Sequence, residues 1–370
     1  MKHLDEYRSA SACRSLVEKI QSATPRPICL MEVCGGQTHS LLNYGITQAL
    51  KGHVEFVHGP GCPVCVTHVD DIDLAIAIAH QPDTLLTTFG DMLRVPGSHG
   101  TLAQARGQGA QVQMVYSPLD VVEMARADAS RKFVFFAVGF ETTIPTTALA
   151  IQQADKLGLD NFHVLCSHVR VQPAMELILM DQDCRIDGFL AAGHVCSVHG
   201  SSIYEALVQR YKVPIVVAGF EPLDLLRAVL ASANQVQAGE YRLENHYTRY
   251  VELHGNSLAL EAIEQIFSVA DCSWRGLGGI PNGGFKIREE FRTFDARSLK
   301  CQHSTLLAPL KGRGTNLIPL STCPSGDILR GKLKPCDCPN FDTNCTPEHP
   351  LGAPMVSSEG ACAAYYRIKA

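Results

Sequence analysis

Short runs of apolar residues alternate with longer amphipathic stretches between residue 27 and about residue 237. Each run has the length and the composition of a buried β-strand. The predicted strands cover residues 28–33, 54–57, 85–88, 112–116, 133–138, 163–166, 188–191 and 215–218. Because continuous apolar runs are typical of strands that are covered on both faces, the pattern predicts parallel sheets.

The amphipathic stretches between these runs predict helices, which include residues 71–80, 119–127, 146–157 and 223–236. Pro118, Pro145 and Pro222 stand where the first turn of a helix accepts proline. Alternating strands and helices indicate an α/β fold in which helices cover both faces of the sheets.

Four predicted strands lie on each side of residue 130. The sequence therefore predicts two similar parallel-sheet α/β sub-domains around a cleft, covering residues 1–130 and 131–237. The tripeptide Gly-Phe-Glu closes a predicted strand at 139–141 and again at 219–221, which is consistent with an internal duplication.

Polar and reactive side chains follow most of the predicted strands, at the edge where parallel sheets build their sites. Glycines accompany them, so that a ligand can approach the backbone closely. These strand ends are Cys34-Gly35-Gly36, the Cys62/Cys65 turn, Phe89-Gly90-Asp91, Gly139-Phe140-Glu141, Ser167-His168, Gly193-His194 and Gly219-Phe220-Glu221. We expect their thiols, imidazoles and carboxylates to converge on the cleft between the sub-domains.

The segment Gly59-Pro60-Gly61-Cys62-Pro63-Val64-Cys65 places two cysteines in a tight turn between a strand and a helix. Two residues between the thiols allow either a disulfide or a shared metal ion. Backbone amides and the positive end of the helix dipole favour the thiolate form. The spacing predicts a redox-active or metal-binding pair.

Cys34 also follows a strand and precedes two glycines and a helix that begins near Thr38. The same dipole argument favours a thiolate at Cys34, acting as a nucleophile or as a metal ligand. His39 lies five residues further on and is a candidate ligand or base, although a histidine in an early helical turn is often structural.

The composition is that of an ordinary globular protein, with 46% hydrophobic and 19% charged residues and a formal net charge of −5. No basic block suggests a nucleic-acid partner, and no apolar run suggests a signal peptide or a membrane span. A cytoplasmic location is expected, and there fifteen cysteines favour metal or redox chemistry over a disulfide framework. Five isolated cysteines receive no function: Cys13, Cys29, Cys166, Cys184 and Cys301.

Residues 238–370 form a third predicted domain, whose last residues can pack back on the first. A helix is predicted over 258–269 and a loop over the glycine-rich residues 275–284. The end of this domain is rich in cysteine, proline and glycine, and such a segment usually needs a bound metal or a disulfide to fold. Its thiols suit a structural zinc or an iron–sulfur cluster equally well on spacing alone, and they are Cys323, Cys336, Cys338, Cys345 and Cys362.

Six stretches of the chain closely resemble the HypD family of NiFe hydrogenase maturation factors. They follow one another in the family's order and span nearly the whole chain. They are Met31-Glu32-Val33-Cys34-Gly35-Gly36, the stretch from His58 to Cys65, the stretch from Gly139 to Thr147, Gly193-His194-Val195, the stretch from Ala218 to Asp224, and the stretch from Met355 to Ala364.

The resemblance implies two α/β domains around a cleft and a C-terminal domain that holds a 4Fe-4S cluster. It also implies a complex with the small chaperone HypC and a transient encounter with HypE, which supplies cyanide. On this scaffold a single iron acquires two cyanides and one carbonyl, so the chain is an assembly platform rather than a stand-alone turnover enzyme.

Carried over residue by residue, the resemblance makes Cys34 a ligand of this iron, together with a cysteine of HypC. Cys62 and Cys65 would exchange electrons with the cluster or touch the iron, and Glu141 and His194 are candidates for proton transfer. The cluster ligands would be Cys338, Cys345, Cys362 and either Cys323 or Cys336, of which Cys323 is favoured.

Two departures from the family pattern bear on these assignments. Gln37 stands where the family usually has the first histidine of Cys-Gly-Gly-His-Thr-His, so only His39 carries over. Ser325 stands where many members have a cluster cysteine, which is why the fourth ligand falls to Cys323 or Cys336.

Two interpretations from other functional classes fit the same residues. A thiol–disulfide oxidoreductase would use the Cys62/Cys65 pair and hold a structural zinc in its tail. A two-lobed ligand-binding module would tolerate serine at positions 34, 62 and 65.

Overall fold

Two parallel β-sheets form the body of the protein in the computed structural model, which describes residues 5–299 and 323–369. The strands are β1 (Ile28–Glu32), β2 (Val54–His58), β3 (Thr84–Thr88), β4 (Val112–Met114), β5 (Lys132–Gly139), β6 (Phe162–His168), β7 (Gly188–Ala192), β8 (Ile215–Ala218) and β9 (Leu243–Asn245). The first sheet has the order β2-β1-β7-β8-β9 and the second the order β4-β3-β5-β6. The predicted α/β class with parallel sheets is confirmed.

The central strands are largely buried because helices cover the faces of each sheet. Every residue of β3, β6, β7 and β8 is buried. The helices are α1 (Ala10–Ala23), α2 (Gly35–Asn43), α3 (Ile46–Ala49), α4 (Pro63–Val66), α5 (Val69–Ala79), α6 (Leu102–Gly107), α7 (Pro118–Ala127), α8 (Ile144–Lys156), α9 (Val171–Leu179), α10 (Gly193–His199), α11 (Glu205–Tyr211), α12 (Pro222–Ala238), α13 (Ser257–Ile266), α14 (Ser325–Leu329) and α15 (Ala361–Lys369).

Short 3₁₀ helices complete the described secondary structure. They cover Asp5–Tyr7, Gly90–Arg94, Ser202–Tyr204, Glu289–Phe294, Ala296–Ser298, Pro335–Asp337 and Ala353–Met355. Among the residues that the structure describes, no helix combines the length and the apolar character needed to cross a membrane.

The strands group differently from the predicted division at residue 130. The chain contributes β1 and β2 to the first sheet, builds the whole second sheet from β3 to β6, and then returns to the first with β7, β8 and β9. Residue 130 therefore falls inside the second sheet, where β3 on one side of it pairs with β5 on the other. Apolar patterning predicts where strands lie but not which strands pair, and it also missed the short strand β9.

An antiparallel hairpin corrects a second prediction. Strands β10 (Phe267–Trp274) and β11 (Gly278–Ile287) pair across a turn at Gly276 and Gly278, whose φ angles are +81° and +85°. The predicted loop over 275–284 is thus mostly strand, and the predicted helix over 258–269 ends at Ile266. Glycine at φ > 0 closes the turn, which the sequence pattern alone did not distinguish from a loop.

The Cys-rich end of the chain packs back on the first sheet. Helix α15 lies against α2, and a Cβ at Gly35 in α2 would overlap the backbone of Glu359. This return brings Glu359 and Ala361 to the small cavity that Gly35, Cys62 and Cys65 also line.

Candidate functional site

Cys34 lies at the carboxyl end of β1, where it is the N-cap residue of α2. Its side chain is buried, and its Sγ faces His194 at the start of α10, 3.6 Å from Nδ1. The ring of Phe220 stacks at a tilt against His194, with 5.4 Å between ring centroids, and encloses the sulfur on the side of β8. Cys34 and His194 thus come together from two neighbouring strands, as predicted.

The pKa of the Cys34 thiol differs from the sequence prediction, which favoured the thiolate form. Burial raises its pKa well above the ordinary value, and the nearby carboxylates of Glu32 and Glu359 raise it further. The backbone N–H groups of Gln37 and Gly36 do lower the pKa, as expected at a helix start, but burial outweighs them. Burial therefore favours the protonated thiol at Cys34.

Cys62 and Cys65 form a disulfide at the start of α4, so the structure realises one of the two alternatives that their spacing allows. Both sulfurs are buried, and in this state neither offers a thiolate to a metal ion. The Sγ of Cys65 lies 3.8 Å from the carbonyl oxygen of Ala353, so the disulfide faces the C-terminal segment.

The Cys34 loop and the disulfide loop touch because β1 and β2 are neighbours. The N–H of Gly35 donates to the carbonyl of Gly61 at 3.0 Å, and a Cβ at Gly61 would overlap the Cys34 backbone. A small cavity separates the disulfide from α2 and the tail, lined among others by Gly35, Cys62, Cys65 and Glu359. The two loops that carry Cys34, Cys62 and Cys65 are therefore in contact, while Cys34 Sγ faces His194.

Gln37 and His39, which follow the two glycines of α2, have different environments. Gln37 is fully buried, and its Nε2 donates to the carbonyl oxygens of Ala191 and Ala218, which end β7 and β8. Gln37 thus links α2 by hydrogen bonds to the ends of β7 and β8. Gln37 occupies the sequence position at which the family usually has histidine. His39 is half-buried, and its Nδ1 has no hydrogen-bond partner among the described residues.

Glu141 follows β5 and reaches the other sheet. One carboxylate oxygen accepts the N–H of Val171 at 2.9 Å, while the other is buried without a partner in the described structure. Burial raises the pKa of Glu141 to about 7, and its charge also raises the pKa values of Cys196 and Tyr204. Cys196 and Tyr204 belong to the same buried cluster as Cys34, so Glu141 lies close to the buried surroundings of the site.

We expect the Glu141→Gln variant to lose a pH dependence of stability that the wild type has. Between pH 4.5 and 7 the unfolded chain releases the Glu141 proton while the folded chain keeps it, so wild-type stability falls as pH rises. The difference between variant and wild type should grow by about 3 kcal/mol over this range. Unfolding midpoints measured from pH 4.5 to 8 test this, and parallel profiles for the two proteins would contradict it.

Four of the five tail cysteines line a single, largely apolar cavity. They are Cys323, Cys338, Cys345 and Cys362. The pKa of Cys362 is raised first by burial and then by the charges of the other three. Cys336 is exposed instead, with its Sγ 3.8 Å from a carboxylate oxygen of Asp337.

The cavity suits a thiolate-bound cluster by several observations. The N–H of Leu351 donates to Cys345 Sγ at 3.4 Å, as N–H groups do to cluster sulfurs. A Cβ at Gly352 would overlap Cys323 Sγ, so glycine leaves the space that this thiol occupies. In the described residues no three His, Cys, Asp or Glu side chains form a group that could hold a single metal ion.

The sequence interpretation missed three residues that support Cys34. Glu32, His58 and Tyr365 form a buried hydrogen-bonded chain that leads from the Cys34 backbone to α15. Glu32 and His58 are aligned partners at the ends of β1 and β2. A polar residue at the end of each of these apolar strands is the feature of the sequence that could have indicated them. Cys301 lies outside the described residues, and the structure gives no function to Cys13, Cys29, Cys166 or Cys184.

Comparison with known proteins gives consistent results over the whole chain. A sequence model of the family described as HypD, hydrogenase formation hypA family, matches residues 11–369. The hydrogenase maturation factor HypD of Rhodobacter capsulatus is 43% identical over 375 residues, which covers 99% of this chain and 98% of the relative. The factor of the same name from Escherichia coli K12 is 42% identical over 377 residues, covering 100% and 98%. The hydrogenase expression/formation protein HupD of Azotobacter chroococcum mcd 1 is 44% identical over 375 residues, covering 99% and 96%.

Proposed function

The chain belongs to the HypD family of hydrogenase maturation factors, and from this premise we propose that it is the platform on which an iron ion acquires two cyanides and one carbonyl. The iron is the substrate of this assembly. The supporting observation is the enclosed thiol of Cys34, which lies between His194 and the disulfide loop at the carboxyl edge of the first sheet.

Cys34 would hold the iron together with a cysteine of a HypC-type chaperone. Thiolates are soft ligands and suit an iron that also binds cyanide and carbonyl. Burial lowers the pKa of His194 to about 4, so the neutral ring can accept a hydrogen bond from the Cys34 thiol until iron displaces the proton. The backbone N–H groups of Gly36 and Gln37 lower the pKa of Cys34 and would stabilise the thiolate that results.

Cyanide carried on the sulfur of a HypE-type donor can be released by reduction. Two electrons break the carbon–sulfur bond and yield cyanide and a thiol on the donor. The Cys62 and Cys65 dithiol supplies two electrons and becomes the disulfide seen in the structure. Of its two protons, one goes to the donor sulfur and the other to solvent.

The tail cysteines Cys323, Cys338, Cys345 and Cys362 would hold a 4Fe-4S cluster, which when bound supplies electrons one at a time. The Ala353 carbonyl, in the segment between Cys345 and Cys362, lies beside Cys65 Sγ. In this proposal the Cys62/Cys65 pair lies between the cluster ligands and the Cys34 loop.

The alternative of a general thiol–disulfide oxidoreductase is less well supported, because the family model and the relatives that match the whole chain are those of hydrogenase maturation factors.

An anaerobic reductive titration tests the redox role of the pair. Wild-type protein should take up two more electrons per chain than the Cys65→Ser variant, because only the wild type contains the disulfide. Both proteins should show the same cluster absorption. Equal uptake by the two proteins would rule out a reducible Cys62/Cys65 pair.

A further inference from the structure

Glu32 is a fully buried carboxylate at the end of β1 that receives three hydrogen bonds. The backbone N–H of Cys34 donates to its Oε2 at 2.8 Å. The hydroxyl of Thr38 and Nδ1 of His58, the latter at 2.6 Å, donate to its Oε1. Such a set of donors compensates a buried charge, and it fixes the backbone of Cys34 to that charge.

His58 connects this carboxylate to the C-terminal helix. Because Nδ1 donates to Glu32, Nε2 of the neutral ring accepts from the Tyr365 hydroxyl at 2.8 Å. The two rings also make an edge contact, with centroids 5.1 Å apart. His58 is buried, and its position is set by the β1–β2 register, in which it is aligned with Glu32.

Tyr365 lies on α15 one turn after Cys362, which lines the cysteine cavity. The hydrogen-bonded chain therefore joins the helix that carries a proposed cluster ligand to the backbone of the proposed iron ligand. These two regions are 307 residues apart in sequence at the Tyr365–His58 contact.

We propose that Tyr365, His58 and Glu32 are positioning residues for Cys34, so that docking of α15 orders the Cys34 loop. The inference deepens the proposed function and rests on it for the role of Cys34. None of the three residues contacts the iron in this proposal. Their effect is on the orientation of the thiol, since loss of the Tyr365 hydroxyl leaves His58 Nε2 buried without a partner and weakens its hold on Glu32.

The test compares Tyr365→Phe with Tyr366→Phe in the full chain. Tyr366 is the next residue of α15, and its ring packs against Phe341 rather than His58, so it is a matched control. Alkylation of Cys34 in each protein is followed by peptide mass spectrometry. We expect a rate about three- to tenfold higher for Tyr365→Phe, as loss of one buried hydrogen bond permits, and an unchanged rate for Tyr366→Phe.

A spectroscopic measurement separates positioning from a merely structural role. In the complex with the HypC-type chaperone, Tyr365→Phe should shift the iron-carbonyl infrared band, while Tyr366→Phe should not. Thr38→Val removes another donor to Glu32 without altering α15, so it should also raise the Cys34 rate and decides the matter if Tyr365→Phe fails to fold.

Wild-type alkylation and wild-type band position in Tyr365→Phe would overturn the inference. If the wild-type complex itself lacks infrared bands, the proposed function fails. The alkylation rates still show whether the hydrogen-bonded chain orders Cys34, so the two failures are distinguishable.

Discussion

The Cys34→Ala variant is expected to lose all iron-bound cyanide and carbonyl infrared bands when it is purified anaerobically with the HypC-type chaperone. Alanine offers no ligand, and Cys34 is the proposed iron ligand that faces His194. The loss should be complete rather than partial, because iron that bears cyanide and carbonyl needs a soft donor at this position. The cysteine cavity of the tail does not include Cys34, so cluster absorption should be unchanged.

A control for this result is Cys29→Ala, in the same strand β1. Cys29 is half-buried, is not among the cysteines assigned to the site, and should give wild-type bands. Normal bands in Cys34→Ala would contradict the assignment of Cys34. Tolerance of serine at 34, 62 and 65 alike would instead favour the two-lobed ligand-binding module.

The Cys323→Ser variant is expected to lose most of the cluster iron, whereas Cys336→Ser should retain it. Cys323 lines the cavity with the other three cysteines, and Cys336 is exposed outside it. We compare the two variants, purified anaerobically, by their iron content and their visible absorption. Both substitutions replace a thiol by a hydroxyl of similar size, so the difference between them reports on ligation.

The reverse outcome, in which Cys336→Ser loses the cluster, would make Cys336 the fourth ligand. Colourless wild-type protein with stoichiometric zinc would contradict the cluster altogether. The expectation for Cys323 rests on the cavity that it lines together with Cys338, Cys345 and Cys362.

The positions of the strands could be predicted from the sequence, but their pairing could not. All eight predicted strands are present, because a strand buried on both faces must be apolar along its length. The chain returns to the first sheet at β7, and the local sequence does not indicate this return. The residues that pair β1 with β7 are more than a hundred positions apart in the chain. For this reason the boundary at residue 130 was misplaced.

The reactive members of the site could be predicted because thiols at strand ends are unusual and occur in short motifs. Cys34, Cys62 and Cys65 lie on adjacent loops, as the parallel order of their strands requires. The supporting chain could not be predicted, since nothing local connects His58 with Tyr365. Polar residues such as Glu32 and His58 are common at strand ends. Only the register of β1 and β2 shows that these two side chains are partners.

The burial of Cys34 could not be predicted from the sequence either. The helix-start argument correctly predicted N–H groups that favour the thiolate, but the enclosing contacts come from α10 and the loop after β8. Burial therefore dominates the pKa of Cys34 and disfavours the thiolate.

The most direct test of the assembly-platform account is the infrared spectrum of the wild-type chain purified anaerobically with the HypC-type chaperone. The account predicts two cyanide bands and one carbonyl band from one iron, together with cluster absorption. An intact complex with its cluster present but without any of these bands would contradict it.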